Sequence, residues 1–177
     1  MARIQIVTQI RAPVEVCFDL ARSVELHVAS ASGTDERAVS GVTRGLLVLG
    51  DEVTWEATHF GVRQRLRVRI TEYAPPHRFT DEMTEGVFRR LRHVHEFEAS
   101  DGGTRMTDSF EYEAPLGVLG RLAEILLLQR HLTRFLLRRN AVLRSRAEEI
   151  AAREPARLPR SGIELLAARA RRGRRGR

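Results

Sequence analysis

The sequence feature that most constrains the fold is a change of hydrophobic period near residue 114. From residue 36 to residue 113 apolar and polar side chains alternate with a period of two, which is typical of strands with one covered face. Turn-forming residues divide this alternation into six predicted strands, at 36–42, 51–59, 62–73, 78–84, 88–99 and 104–113. The links are short, so they favour hairpins and therefore an antiparallel meander.

Two regions outside the meander complete the predicted fold. Residues 3–11 alternate as a first strand, and the helical spacing after Pro13 predicts two short helices before residue 32. Apolar residues between about 117 and 153 recur at spacings of three, four or seven, which predicts one long amphipathic helix. We therefore predict an α+β fold: a seven-stranded antiparallel sheet wrapped around a long C-terminal helix, with two short helices after the first strand. One helix cannot fill the concave face of so large a twisted sheet, so we expect a cavity between them.

The net charge of +7 comes from the C-terminal segment. Residues 151–177 contain nine arginines and two acidic residues, whereas residues 1–150 contain equal numbers of basic and acidic residues. We therefore predict a ligand-binding domain at 1–153 and an arginine-rich, disordered tail at 154–177. Either the tail only aids solubility, or it makes weak contacts with polyanions through Arg169, Arg171, Arg172, Arg174, Arg175 and Arg177.

The lengths of the apolar runs argue against a membrane-spanning segment. The longest runs, at 45–50 and 125–128, are far shorter than the roughly 20 residues of a membrane span, and the first residues do not form a secretory signal. We predict a cytoplasmic protein without stable membrane insertion, and the sequence leaves its oligomeric state open. Segment 45–50 has two interpretations: it continues a strand, or it forms a cavity lid with Gly45 and Gly50 as pivots.

Four polar residues are predicted to lie on the otherwise apolar concave face: Asp81, His93, His95 and Asp108. Counting outward from the two hairpin turns places His95 opposite Asp108, and Asp81 opposite His93. These residues are candidates for acid–base catalysis or for hydrogen bonds to a ligand, and the alternative is that the pairs are structural. His93 and His95 also have the spacing of a metal chelate with Asp108 or Asp81 as a third ligand. We nevertheless predict no metal and no cofactor.

Several short motifs resemble the SRPBCC superfamily, in its START-like and polyketide-cyclase group. They are Gly-Asp-x-Val-x-Trp at 50–55, Pro-x-x-Phe-x-Asp-x-Met-x-x-Gly-x-Phe at 76–88, His-x-His-x-Phe at 93–97, Gly-Thr-x-Met-x-Asp at 103–108 and Tyr-x-x-Pro-Leu-Gly at 112–117. The resemblance is closest to bacterial members, covers about residues 3–146 and implies the helix-grip fold. It does not select a reaction, because the superfamily includes lipid carriers, cyclases, ubiquinone-associated proteins and co-chaperones.

The leading functional hypothesis is binding of a small hydrophobic ligand, such as a lipid, an isoprenoid or quinone, or an aromatic polyketide. The residues predicted to contact this ligand are Trp55, Asp81, Met83, His93, His95, Asp108, Phe110, Tyr112 and Phe135. One alternative is a polyketide cyclase or aromatase that uses the cavity His and Asp residues as general acid and base. A second alternative is a protein-interaction module with a vestigial cavity.

Overall fold

A computed structural model describes residues 1–31, 34–113 and 121–153. These residues form a seven-stranded antiparallel sheet of β1 (Ala2–Ile10), β2 (Arg37–Gly41), β3 (Glu52–His59), β4 (Val62–Ala74), β5 (Arg78–Glu85), β6 (Arg90–Ser100) and β7 (Gly103–Glu113). Two short helices, α1 (Val14–Ala21) and α2 (Val24–Ser30), follow β1, and the long helix α3 (Arg121–Arg153) follows β7. The strands lie in the order β1-β7-β6-β5-β4-β3-β2. β1 therefore pairs with β7 at one edge of the sheet, and β2 forms the other edge. This is the predicted helix-grip fold.

The strand register places the predicted polar residues side by side. In the β6–β7 hairpin His95 lies opposite Asp108 and His93 lies opposite Phe110. In the β5–β6 pair Asp81 lies opposite His93. Both predicted registers are confirmed, and because alternate residues of a strand share a face, the polar residues all lie on the concave side.

Arginine and glutamate side chains pair on the convex face of the sheet. The carboxylate of Glu56, on β3, forms ion pairs with Arg37 and Arg65, each with a nitrogen–oxygen distance of 2.9 Å. A nitrogen of Arg63 lies 3.7 Å from the same carboxylate. Arg69 pairs with Glu52 on the same face. These ion pairs join neighbouring strands across the convex face.

Segment 45–50 is not a strand, so that interpretation of it is wrong. Leu46 makes a single bridge with Ser23, and the backbone N–H of Leu47 donates to the carbonyl of Arg22 at 3.0 Å. The N–H of Gly50 donates to the carbonyl of Ile70 at 2.9 Å. The segment is therefore a loop fastened both to the α1–α2 junction and to β4, and its action as a lid stays a prediction.

Some of the predicted features fall on residues that the structure does not describe. The long helix was predicted to begin near residue 117, and residues 114–120 are not described. The tail at 154–177, with its six candidate polyanion-binding arginines, is not described either. The division into two regions and the contact with polyanions therefore stay predictions.

Candidate functional site

A cavity of about 280 Å³ lies between the concave face of the sheet and α3. Its walls are mainly apolar and come from strands β3 to β7 and helices α2 and α3, with Trp55, Leu66, Leu91, Phe110, Leu132 and Phe135 among the lining residues. The volume is near the lower end of the ~300–1,000 Å³ that is typical of small-molecule sites. The cavity that the fold predicted is therefore present.

Five of the nine predicted ligand-contact residues line this cavity: Trp55, Asp81, His93, Phe110 and Phe135. The other four are absent from its walls: Met83, His95, Asp108 and Tyr112. Strand alternation places these four on the correct face, but the cavity does not extend to them: His95, Asp108 and Tyr112 are buried in the surrounding packing, whereas Met83 is partly exposed. In this geometry, a ligand in the cavity would not contact these four residues.

A buried polar cluster lies behind the cavity wall. The imidazole of His95 bridges two carboxylates, with Nε2 3.0 Å from Oδ1 of Asp81 and Nδ1 2.6 Å from Oδ1 of Asp108. The side-chain amide of Asn140, on α3, donates to Oδ2 of Asp108 at 2.7 Å and to the Thr8 hydroxyl at 3.2 Å. The cluster thus ties β5, β6 and β7 to the long helix.

The two histidines of this cluster have opposite pKa shifts. Burial and the charge of His95 lower the pKa of His93 to about 4, so this ring is neutral at pH 7. Burial also acts against a charged His95, but the carboxylates of Asp108 and Asp81 outweigh it and raise the pKa of His95. Burial alone would raise the pKa of Asp81, yet the hydrogen bond with His95 and the nearby His93 lower it to about 2.

A second polar group in the wall was missed by the sequence analysis. His27 of α2 stacks on Trp55, with ring centroids 3.8 Å apart and planes 11° from parallel. Its Nε2 lies 2.9 Å from Oε1 of Glu36, and both residues line the cavity. Burial lowers the pKa of His27, and although burial alone would raise the pKa of Glu36, the contact with His27 lowers it. The sequence could have indicated that His27 faces inward, because it is three residues after Val24, which is buried, and so lies on the same face of α2.

The long helix adds three more polar side chains to the inner face. Arg139 lines the cavity and donates to the carbonyl of Ala21 at 3.2 Å. His131 also lines it, and its Nε2 lies 3.0 Å from Nδ1 of His59, at the end of β3. His131 and Arg139 are each four residues from the cavity residue Phe135, so helical spacing would have identified them. Asn140, the third, belongs to the buried cluster.

A curved sheet, a long helix across it and a lined cavity between them define the class of helix-grip proteins. The sequence profile of the family described as "Polyketide cyclase / dehydrase and lipid transport" matches residues 1–148. This protein therefore belongs to that family. No functionally curated protein matches the sequence.

Solved structures share the fold at low sequence identity. TTHA0849 from Thermus thermophilus is 21% identical, with a TM-score of 0.69 over 85% of this chain and 99% of that one. Ms6760 from Mycobacterium smegmatis is 20% identical, with a TM-score of 0.55 over 85% of this chain and 90% of that one. Major latex-like protein 151 from Panax ginseng is 16% identical, with a TM-score of 0.58 over 82% and 97%. Among the described residues of the present chain, no helix has the length and apolar character needed to span a membrane.

Proposed function

We propose that this protein binds a small, mainly hydrophobic ligand with one polar end in the cavity between the sheet and α3. The observation that carries the proposal is the composition of the cavity wall, which is apolar except for a few convergent polar groups. Glu36, Asp81 and Arg139 are charged residues of this wall, and they offer the polar end of a ligand both acceptors and a donor. A polar end is expected because one oxygen of Glu36 is buried without a hydrogen-bond partner among the described residues.

The cavity volume narrows the class of ligand. A space of about 280 Å³ favours a compact ring system or a single short chain over a lipid with two acyl chains. Isoprenoids, quinones and aromatic polyketides therefore fit the proposal better than phospholipids do. The open cavity also argues against an interaction module whose cavity has been lost.

Fluorescence of the single tryptophan tests this proposal. Trp55 lies in the cavity wall, so a panel of a short prenyl alcohol, a quinone, a hydroxylated anthraquinone and a fatty acid should include a compound that changes its emission saturably at one ligand per chain. Ala57→Leu adds bulk to the wall and should weaken that binding about tenfold or more. Ala99→Leu is the matched control, because Ala99 is exposed and outside the cavity.

Two results would reject ligand binding in this cavity. One is no response across the panel, combined with no co-purified compound by native mass spectrometry. The other is a saturable response that Ala57→Leu and Ala99→Leu leave equally unchanged, because the compound would then bind elsewhere.

A cyclase-type enzyme is the second candidate, and one observation favours it. His27 and His93 both line the cavity, and burial lowers the pKa of each, so both are neutral bases at pH 7. A neutral imidazole can remove a proton from the carbon between two ketones and later return a proton to a departing hydroxyl. If the protein is a cyclase, His27→Gln and His93→Gln should abolish conversion of a linear poly-ketone thioester while changing its affinity only a few-fold. Equal conversion by the wild type and both variants would exclude this chemistry.

A further inference from the structure

We propose that Asp81, His93 and His95 form a binding site for a divalent transition-metal ion, with Zn²⁺ as the expected occupant. This inference departs from the sequence-based prediction of no metal, and it goes beyond the proposed binding of a hydrophobic ligand. It rests on the positions of both nitrogens of each imidazole, which the sequence could not give.

One nitrogen of each ring converges on the same carboxylate oxygen. Oδ1 of Asp81 lies 3.0 Å from Nε2 of His95 and 4.0 Å from Nδ1 of His93. One donor atom from each of the three residues falls within 4.8 Å of the others. Donors bound to zinc at ~2.0–2.1 Å in a tetrahedron lie about 3.3 Å apart, so the observed separations need only small side-chain shifts. Two histidines and one carboxylate also form a common donor set of zinc sites that keep a fourth position open.

The other nitrogen of each ring faces a second carboxylate. Oδ1 of Asp108 lies 2.6 Å from Nδ1 of His95 and 3.3 Å from Nε2 of His93. Asn140 fixes this carboxylate by donating to its Oδ2 at 2.7 Å. Metal-binding histidines usually donate their second N–H to such a carboxylate, which sets the tautomer and the orientation of the ring. A charged His95 held between two carboxylates would account for the two nitrogens of that ring, but it does not explain why both nitrogens of His93 also lie within 4.0 Å of carboxylate oxygens.

One buried nitrogen of this cluster lacks a hydrogen bond within the described part of the chain. Nε2 of His93 makes no hydrogen bond with any described residue, although Asp108 is close. A metal on Nδ1 of His93 would place the ring proton on Nε2, where a small rotation directs it to Asp108. The ion would therefore complete the hydrogen bonding of the buried cluster.

Access and charge are both suitable for an ion. Asp81 and His93 line the cavity, so an ion between them is reached from the cavity and keeps its open position on that side. His95 and Asp108 are buried and do not line the cavity, which keeps the supporting contacts away from water. Asp81 and Asp108 bring two negative charges into a buried cluster, and a divalent cation balances both.

Cobalt titration of the full-length chain tests the site. The chain is prepared without an affinity tag, treated with a chelator and titrated with Co²⁺. It should bind one ion, develop the visible absorption of tetrahedral Co²⁺ and lose that absorption when Zn²⁺ is added. Asp81→Asn removes a ligand at constant shape and should weaken Co²⁺ binding more than about a hundredfold, and Asp108→Asn should weaken it about 10–100-fold.

The matched control is His131→Gln, which removes an imidazole from the separate His59–His131 contact. This variant should bind Co²⁺ as the wild type does. Saturation at one ion that depends on His131 and not on Asp81 would overturn the proposal, as would the absence of saturable binding by the wild type.

A second measurement uses only the wild type, so it does not depend on the folding of any variant. In two-bond ¹H–¹⁵N spectra, Zn²⁺ should shift the ring-nitrogen resonances of His93 and His95 and leave those of the other four histidines in place. Shifts confined to other histidines would overturn the proposal. The Trp55 titration is performed without metal, so failure of either test leaves the other proposal standing.

Discussion

The space between the sheet and α3 has two halves that differ in how completely they are filled. In the packed half, Phe18 of α1 lies within 5.6–5.7 Å of the ring centroids of Tyr73, Phe79 and Phe97. The C-terminal part of α3 covers this half with one leucine and two alanines, Leu143, Ala147 and Ala151. In the open half, the more N-terminal part of the same helix presents larger side chains, Leu132, Phe135 and Leu136, and the cavity remains.

Side-chain size on one face of one helix accounts for the difference. Ala147 is fully buried, so α3 can approach the sheet and α1 closely there, whereas leucine and phenylalanine at the other end line a gap that they do not fill. Asn140 lies between the two groups and holds the buried Asp108. The polar cluster therefore marks the border between the packed core and the cavity.

Truncation of Phe18 should produce the largest effect. Phe18→Ala should lower the free energy of unfolding by about 3–5 kcal/mol, because the packed half cannot collapse around the lost ring. Phe135 is half-buried in the cavity wall. Phe135→Ala should lower the free energy of unfolding by only about 1 kcal/mol, because the ring already borders empty space. Urea unfolding of both variants measures the difference.

The contrast between the two halves would be wrong if both truncations cost the same. A larger loss for Phe135→Ala would mean that the open half, and not the packed half, supports the fold.

Removal of the carboxylate at the border should have an intermediate effect. Asp108→Ala should lower the free energy of unfolding by about 1–3 kcal/mol, because His95 and Asn140 lose a buried partner. Glu52→Ala is the control on the convex face, where the ion pair with Arg69 is half-exposed and is expected to contribute less than about 1 kcal/mol. Thermal unfolding in chelator-treated buffer separates the two variants.

Equal losses for Asp108→Ala and Glu52→Ala would show that the buried cluster is no more stabilising than a surface ion pair. The buried charges of the cluster would then be accommodated by the fold without helping to hold β6 and β7 to α3.

The hairpins explain why the fold and the register of the cluster could be predicted. The turn at Asp101 and Gly102 fixes the centre of the β6–β7 pair, and strict alternation on both sides then leaves a single register with His95 opposite Asp108. Gly102 has a φ of +81°, a conformation that favours glycine, so the position of the turn is visible in the sequence. Local turn chemistry and period were sufficient here.

Exposure to the cavity could not be predicted in the same way. Alternation assigns a residue to a face, but His93 lines the cavity and His95 does not, although both project from the same face of β6. The difference depends on what α3 and the neighbouring strands place over each ring. The stacking of His27 on Trp55 is also a contact between distant segments, and no local pattern specifies it.

The contact between His59 and His131 joins β3 to α3 in the wall of the open half, and it should respond to pH. A hydrogen bond between two imidazoles needs at least one neutral ring as acceptor, so protonation of both rings breaks it. Burial lowers the pKa of His59, and the charge of Glu36 opposes this shift only in part. Burial likewise lowers the pKa of His131, helped by His59 and by Arg138 on the same helix.

A small loss of stability in weak acid follows from these shifts. Both pKa values are lowered in the folded state from the ordinary 6.5, so the unfolded chain takes up protons first as the pH falls. This contribution is therefore complete above about pH 6.5 and declines below it. His131→Gln keeps a side chain that can hydrogen-bond to His59 but does not titrate, so its free energy of unfolding should fall less than that of the wild type between about pH 7.5 and 5.5. His27 and His93 titrate in both proteins, so the difference between the two urea-unfolding series isolates the His59–His131 contact. Parallel pH dependences would show that protonation of this contact does not destabilise the fold.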